Sequence, residues 1–441
     1  MWFEEKVFYQ LYPLALCDAP TENSAAASSD AACPDTPESA APDRNSRIAR
    51  LRLFAPYLRT LGIGGVYLNP VMESDSHGYD TRNYRMLDRR LGSNADFKDV
   101  VACFHAHGIR VVLDAVFNHV GRGFFAFQDL LLHRQSSPFR DWFHVSFEGD
   151  SPYRDGFWYE GWEGHYELVR LNLEHPEVQR YLLDSVRLWF REFDIDGLRL
   201  DVAYLLPLWF ISTLKQEIRS LKEDAFLLAE VLGDNAGRFY EQGQVDAITD
   251  YPCYKALWSS FHSYNLFELA HTVRRNYTEL YRGHQLFSFA DNHDVERIAS
   301  KLSDRRKLPL IYALLLTLPG IPCIYYGSEW GTEGRKEPGS DASLRPAFDA
   351  PQPNALTDTI ASLIRLRNET PELSAGSYRE LCLTNRAFAF ARAFEGNTTI
   401  TAVNIDEHRT ALDIPGFGML SLPANSACIL RRGESIPLCA G

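Results

Sequence analysis

Four short segments of this chain carry the residue types that bond cleavage on a neutral, polar ligand would need. They are Asp114-Ala-Val-Phe-Asn118-His119, Gly197-Leu-Arg199-Leu-Asp201, Ala229-Glu230 and Asp291-Asn292-His293-Asp294. Singly, each has an ordinary reading. An Asp after a strand caps a helix, an Arg-x-Asp forms a salt bridge, and a strand-end His is a satisfied structural residue. Jointly they bring carboxylates, an arginine and two histidines. Arg199 and Asp201 are two apart in an extended run, so their side chains share a face. A guanidinium beside a carboxylate lowers its pKa and keeps it ionised, which suits Asp201 to nucleophilic attack. Glu230 follows Phe226-Leu-Leu-Ala, so burial is expected to raise its pKa and suit it to general-acid work. Two carboxylates in opposed roles are what glycosidic cleavage requires. Asp294 adds negative charge for a developing oxocarbenium ion, and His119 and His293 can donate hydrogen bonds to hydroxyl groups.

These residues work together only if the fold gathers them. Short β-rich runs occur at Val7–Tyr12, Gly65–Asn69, Val111–Asp114, Gly197–Asp201, Phe226–Glu230, Val245–Ile248, Phe287–Ala290 and Ile321–Tyr325. Between and after them lie helical patterns near 46–61, 94–107, 176–193, 207–222, 235–243, 261–280, 304–318 and 354–369. Near-continuous apolar strands alternating with helices indicate a buried parallel sheet. Eight such repeats predict an α/β fold, a (β/α)8 barrel, with its chemistry at the C-terminal strand ends. No G-x-G-x-x-G follows a strand, which disfavours a dinucleotide site. The expected barrel spans 1–119 and 173–375. Residues 120–172 exceed a usual βα loop and are expected to form a small inserted domain. Residues 376–441 turn to short alternating runs, expected to form an antiparallel, β-sandwich-like domain. Residues 17–45, rich in Ala, Ser, Asp and Pro, read as a long loop.

Composition narrows the ligand. The chain has 441 residues and a net charge of -13, which excludes the basic footprint of a nucleic-acid binder and argues against an anionic membrane partner. The N-terminus shows no signal-peptide pattern, and the apolar run Ile311–Leu318 is too short to span a bilayer. A cytoplasmic protein is the expectation. The eight Cys form no C-x-x-C pair, so reduced, packed thiols are expected. Cys17 and Cys33 share a loop and are the one pair that could be bridged.

The four segments closely resemble those of the α-amylase family of glycosidases (glycoside hydrolase family 13), in the same order and spacing. The resemblance implies Asp201 as nucleophile, Glu230 as general acid/base and Asp294 as transition-state stabiliser. It implies that Arg199, His119 and His293 line the subsite of the cleaved glucose, and that the mechanism is retaining. His77-Gly-Tyr79-Asp80-Thr-Arg-Asn-Tyr84 is similar to a further family segment, making Tyr79 an aromatic platform under that glucose. Arg345, in Ser343-Leu-Arg-Pro346, resembles a family arginine that meets the Asp80 equivalent. Such a pair can contact the 4-hydroxyl of a terminal glucose and favour short substrates or cleavage from a chain end.

Leu171-Asn-Leu-Glu-His-Pro-Glu-Val178 and Glu230-Val-Leu-Gly-Asp234 resemble the neopullulanase and cyclomaltodextrinase branch. Its members usually carry an extra N-terminal domain that supports a dimer. Here the first expected strand begins at about residue 7, so no dimer is implied and the oligomeric state stays open. Where calcium-dependent relatives place Lys-His and an Asp, this chain has Tyr204-Leu205 and Arg170. An arginine opposes a hard cation, so no conserved calcium, and no cofactor, is expected. About two-thirds of the inserted segment's aromatics are expected to form its own core, with Trp158 and Trp162 left to contact substrate. The expected substrate is a maltooligosaccharide with α-1,4 links. The same scaffold also carries glucanotransferases, trehalose-forming enzymes, phosphorolytic enzymes and non-catalytic binding proteins; product analysis separates the enzymes, and the three carboxylates disfavour the last.

Overall fold

The computed structural model describes residues 1–23, 42–233, 236–431 and 433–439. Eight parallel strands close into a barrel: β1 (Phe8–Leu11), β2 (Gly65–Leu68), β3 (Arg110–Ala115), β4 (Gly197–Leu200), β5 (Phe226–Ala229), β6 (Ala247–Thr249), β7 (Gln285–Phe289) and β8 (Ile321–Tyr325). Neighbours in sequence are neighbours in the barrel, and β1 closes it by pairing with both β2 and β8. In that register Tyr9 lies opposite Val66 on one side and Ile324 on the other.

The pleat decides what the barrel encloses. Side chains two apart on a strand face the same way. Phe8, Val112, Phe226, Leu228, Phe287, Phe289, Ile321 and Cys323 form one buried apolar cluster with Phe3. Phe3 sits 4.4 Å from Phe226, ring centre to ring centre. The turn Trp2–Glu5 therefore plugs the N-terminal end of the barrel. Continuing the same alternation upward turns the rows polar: Phe8 leads to Gln10, Gly65 to Tyr67 and Asn69, Val112 to Asp114, Leu228 to Glu230 and Phe289 to Asp291. The intervening residues pack outward against the helices in the larger core, which holds Tyr9, Leu68, Leu113 and Leu198.

The helical expectations hold with one correction. A single helix over 261–280 is not formed. Instead Tyr251–Ser263 is a helix capped by Asp250, whose carboxylate accepts from Cys253 N at 3.0 Å. It stops at Tyr264, at φ 52°, and a second helix spans Phe267–Arg274. Asp250 and Pro252 form a start signal that lies ahead of the apolar run on which the expectation rested.

Within 120–172, Phe125–His133 is helical, and His119–Gly121, His165–Arg170 and Gly161–Trp162 form a three-stranded sheet. Toward the C-terminus, five antiparallel strands line up in the order Ser377–Leu383, Ala387–Phe394, Asn397–Asn404, Ser426–Arg431, Glu434–Cys439. The hairpin Thr410–Ile414/Gly418–Leu422 packs on them through Leu412, Ile414 and Leu422. Cys17 is a buried thiol, its pKa pushed up to about 12 by burial; Cys33 lies outside the described residues, as does Asp234. Among the described residues, no helix is long and apolar enough to cross a membrane.

Beyond β8, Glu329 is fully buried, and its Oε1 accepts from Tyr9 at 2.6 Å and Tyr57 at 2.9 Å. Burial pushes its carboxyl up from 4.5 to about 7, although the two tyrosines pull it back. The folded chain thus binds this proton more tightly than the unfolded chain. Stability is favoured by protonation at low pH and is lost as pH rises from about 4.5 to about 7. Glu329→Gln should remove about 3 kcal/mol of that pH-dependent loss. Urea unfolding at about pH 5 and pH 7.5 checks this, and a variant that loses as much stability as the parent contradicts it.

Candidate active site

Arg199 points into the barrel from β4 and is buried. Its Nη1 donates to both oxygens of Asp114, at 2.8 and 2.9 Å, and to Asp201 Oδ1 at 2.9 Å. Its Nη2 lies 2.8 Å from Glu230 Oε1. One guanidinium therefore gathers carboxylates from the ends of β3, β4 and β5. Burial alone would lower the arginine's pKa, but Asp114 and Glu230 outweigh it and hold Arg199 firmly charged.

Asp201 departs from expectation. Arg199 does pull its pKa down, yet burial is the larger effect, and Glu230, Asp114 and Asp294 push the same way as burial. The net shift is well upward. Asp114 is raised to about 6, again by burial against the pull of Arg199. Groups this close share their protons as a set rather than titrating one by one. The excess of carboxylates over cations thus favours keeping a proton within the cluster.

Glu230 is fixed at both oxygens. The Val202 N–H donates to Oε2 at 2.8 Å, and Tyr251 Oη donates to Oε1 at 3.2 Å. Val202 delivers that N–H from a left-handed conformation, φ 39° and ψ 44°. This is strained for a β-branched residue, and it falls directly after Asp201, where strain is tolerated to aim a group. Asn292 Nδ2 donates to Tyr251 Oη at 3.1 Å, tying β7 to the same carboxylate.

A directed hydrogen-bond chain supports the cluster from the opposite wall. Gln10 Nε2 donates to Asn69 Oδ1 at 2.8 Å. Asn69 Nδ2 donates to the hydroxyls of Tyr67 at 3.1 Å and Tyr79 at 2.8 Å. Both tyrosines donate to Asp114 Oδ2 at 3.0 Å. Gln10 Nε2 also meets His293 Nδ1 at 2.8 Å, which assigns that nitrogen as acceptor and puts the proton on Nε2. His293 Nε2 faces Tyr79 Oη at 2.5 Å and Asp294 Oδ2 at 3.0 Å. Burial and the nearby Arg345 and Arg199 push His293 well below its usual pKa, so the ring is neutral. Tyr79 lies parallel to His293 at 5.7 Å. The turn that presents Tyr79 requires Gly78: φ is +93°, and a Cβ there would lie 3.1 Å from Pro70.

The expected pairing of Arg345 with Asp80 is not formed. Arg345 Nη2 meets Asp341 at 2.9 Å and Asp294 at 3.3 Å, and its guanidinium lies over the Tyr12 ring at 4.8 Å. Asp80 instead accepts from Ser76 Oγ at 2.5 Å and Gly78 N at 3.1 Å, with His77 3.7 Å away. Tyr12, whose hydroxyl donates to His77 O at 2.5 Å, contacts both the arginine and the segment that carries Asp80.

The 120–172 segment supplies the outer wall. His119 Nε2 and Trp162 Nε1 are buried and have no hydrogen-bond partner among the described residues. The two rings are 5.8 Å apart. Burial lowers His119 to a pKa of about 3; with Asn118 Nδ2 at its Nδ1, its free proton lies on Nε2. Two unpaired N–H donors side by side suit ligand hydroxyls. Trp158 and Trp162 line one cavity of about 430 Å³ with Asn118, Glu160, Glu163 and Arg170. Trp158 is 38% exposed, and neither tryptophan belongs to the segment's packed aromatic core. Arg170 pairs with Glu160, so a cation rather than a carboxylate stands at this position. Among the described residues, no group of three His, Cys, Asp or Glu side chains could hold a metal ion.

Gln10, Tyr12, Tyr67, Asn69 and Tyr251 escaped the sequence reading. The i, i+2 continuation of β1 and β2 would have pointed to Gln10, Tyr67 and Asn69.

Residues 54–361 match the family model "Alpha amylase, catalytic domain". The chain is 32% identical over 431 residues to a cyclomaltodextrinase of Geobacillus thermopakistaniensis (strain MAS1), covering 94% of this chain and 71% of that relative. It is 34% identical over 289 residues to an intracellular maltogenic amylase of Bacillus subtilis, covering 64% of this chain and 48% of the relative. Among solved structures, a cyclic α-maltosyl-(1→6)-maltose hydrolase from Arthrobacter globiformis superposes with a TM-score of 0.83 at 25% identity, covering 99% of both chains.

Because Arg345 pairs with Asp294 and Asp341 rather than with Asp80, Asp80→Ala and Arg345→Ala should show no ion-pair coupling in stability, only the weak coupling that passes through Tyr12. A double-mutant cycle read by urea unfolding should give a coupling within about 0.5 kcal/mol. A coupling above about 1 kcal/mol would show that the two residues interact directly after all.

Proposed function

The chain belongs to the α-amylase family, and from that premise we propose that it is a retaining α-glycosidase cleaving α-1,4-linked maltodextrins. The observation that carries this reading is the single guanidinium of Arg199 shared by Asp201 and Glu230. It makes the two carboxyls near neighbours. That favours direct attack by one of them over the wider pair, about 6.5–9.5 Å apart, that inverting enzymes use to admit a water.

In this mechanism Asp201 attacks the anomeric carbon while Glu230 gives its proton to the leaving oxygen. A covalent glycosyl-enzyme forms on Asp201, and Glu230 then takes a proton from the water that releases it. The proton that the cluster retains is shared among its carboxyls, so the first step runs from the state in which Glu230 holds it and Asp201, hydrogen-bonded by Arg199, is the carboxylate. The Val202 N–H and Tyr251 fix the orientation of Glu230. Asp294, held by Arg345 and His293, stabilises the oxocarbenium-like transition state. The neutral His119 and His293, with Arg199, contact the hydroxyls of the reacting sugar, and Tyr79 stacks beneath it. Trp158 and Trp162 receive the next sugars along the chain.

The unformed Asp80–Arg345 pair favours an open cleft over a terminal pocket. The names of the similar proteins, which include a cyclomaltodextrinase and a cyclic maltosyl-maltose hydrolase, support linear and cyclic maltodextrins as substrates, processed inside the cell as the name of the B. subtilis relative says of that protein. On end-labelled maltoheptaose, the enzyme should give a spread of mid-length products, and it should open β-cyclodextrin. Steady release of glucose or maltose from one end would contradict the open cleft. Products longer than the substrate would mark it as a transferase. Asp201→Asn and Glu230→Gln should each lower kcat/KM at least about 1,000-fold while remaining folded; normal turnover in either would remove the assignment. Arg170 is paired with Glu160 where calcium-dependent relatives need an acid. Activity should therefore survive EDTA, and a large loss restored by calcium would contradict this.

A further inference from the structure

On the far side of the barrel from Arg199, two arginines are buried without a counter-ion. Arg367 donates to the carbonyls of Leu316 at 2.8 Å, Leu318 at 3.3 Å and Gly320 at 2.6 Å. Arg392 donates to those of Thr317 at 3.1 Å, Gly376 at 2.9 Å and Ser377 at 3.3 Å. Each is 1% exposed. Burial pushes Arg367 down to about 9, with Arg392 adding to it, and Arg392 down to about 10. Neither makes an ion pair with a carboxylate among the described residues. Three of the six accepting carbonyls, those of Leu316, Thr317 and Leu318, close the C-terminal end of the helix Leu308–Thr317. That end offers only about half a negative charge against two guanidinium groups. A buried charge left unpaired is costly.

A cleft of about 520 Å³ opens beside this pair, between the strand starts of β7 and β8 and the first strand of the C-terminal sheet. Arg392, Arg282 and His284 line it together with Thr278, Ser374 and Ser377. No Asp or Glu lines it, in a chain whose net charge is -13. Arg392 has five N–H donors, and three are used by the carbonyls named above. Tyr378, also on the cleft wall, has a buried hydroxyl with no hydrogen-bond partner among the described residues. The acids behind this wall are engaged elsewhere: Asp250 by Cys253 N, Asn276 and Tyr277, Glu372 by Arg431 at 3.4 Å, and Glu380 by Arg274 at 4.0 Å.

We propose that this cleft is a binding site for a phosphate oxyanion, either free phosphate or the phosphate of a sugar phosphate, seated on Arg392 and Arg282. Its charge offsets the uncompensated pair and ties the barrel floor to the C-terminal sheet. The cleft's volume lies within the range of small-molecule sites and admits a phosphorylated monosaccharide.

The test uses the full chain with sodium phosphate, glucose 1-phosphate and sodium chloride at matched ionic strength. Thermal unfolding and titration calorimetry are the readouts. Phosphate or glucose 1-phosphate at about 10 mM should raise Tm by about 2 °C or more, and chloride should not. Tighter binding of glucose 1-phosphate identifies a sugar phosphate as the ligand; equal or weaker binding identifies free phosphate. Arg282→Glu and Thr278→Glu, both on the cleft rim, should each weaken binding at least tenfold, roughly 1.4 kcal/mol, with kcat on maltoheptaose unchanged. The binding should persist in Asp201→Asn saturated with maltotriose. The proposal fails if chloride acts equally, if neither probe binds, if both rim variants bind like the parent, or if maltotriose displaces the anion.

Discussion

Arg199 is a full charge inside a barrel whose lower half is packed with aromatic rings, and it is tolerable there only because carboxylates surround it. Asp114, Asp201 and Glu230 reach it from three adjacent strands. The dependence is mutual. Without the guanidinium, three buried carboxylates would repel one another at the mouth of the barrel. Without Asp114, which takes two hydrogen bonds from Nη1, the arginine would lose its deepest anchor. The chain Gln10–Asn69–Tyr67/Tyr79–Asp114 fixes that anchor in turn, so the positions of Asp201 and Glu230 rest on residues from β1, β2 and the loop after it that hydrogen-bond to neither.

The fold provides this by simple alternation. Inward-facing positions at the strand starts carry Phe8, Val112, Phe226 and Phe287, which fill the barrel and exclude water. Two and four residues later the same rows carry Gln10, Asp114, Glu230 and Asp291. Apolar floor and polar mouth are one pattern read along each strand. The floor does more than stabilise: it gives the carboxyls above it a dry lower boundary, and burial is the largest influence on both Asp114 and Asp201.

This explains what was legible in the sequence. The barrel could be read because each strand announces itself locally. Arg199 and Asp201 could be read as a pair because two residues of one strand necessarily share a face. What depends on distant segments was not legible. Arg345 was expected to meet Asp80, but Tyr12, directly after β1, intervenes and Asp294 and Asp341 claim the guanidinium. The ionisation of Asp201 was expected to follow its nearest cation, but burial and three further carboxylates outweigh it. The helix Tyr251–Ser263, which brings Tyr251 to Glu230, begins at a cap ahead of the apolar run that suggested a helix. Trp158 and Trp162 were singled out among many aromatics by their Gly neighbours, and they remain outside the packed core while Tyr159 between them is buried in it, as alternation along a strand requires.

The proposed mechanism requires Asp201 to be the group that bonds to the sugar. The direct measurement is to treat the enzyme with an α-glucosyl fluoride bearing a second fluorine at C5, which slows breakdown of a glycosyl-enzyme, and to map the product by peptide mass spectrometry. The peptide that contains Asp201 should gain one glycosyl unit, and the gain should be absent in Asp201→Asn. A gain on a different carboxylate, or turnover with inversion at the anomeric carbon and no covalent adduct, would contradict it.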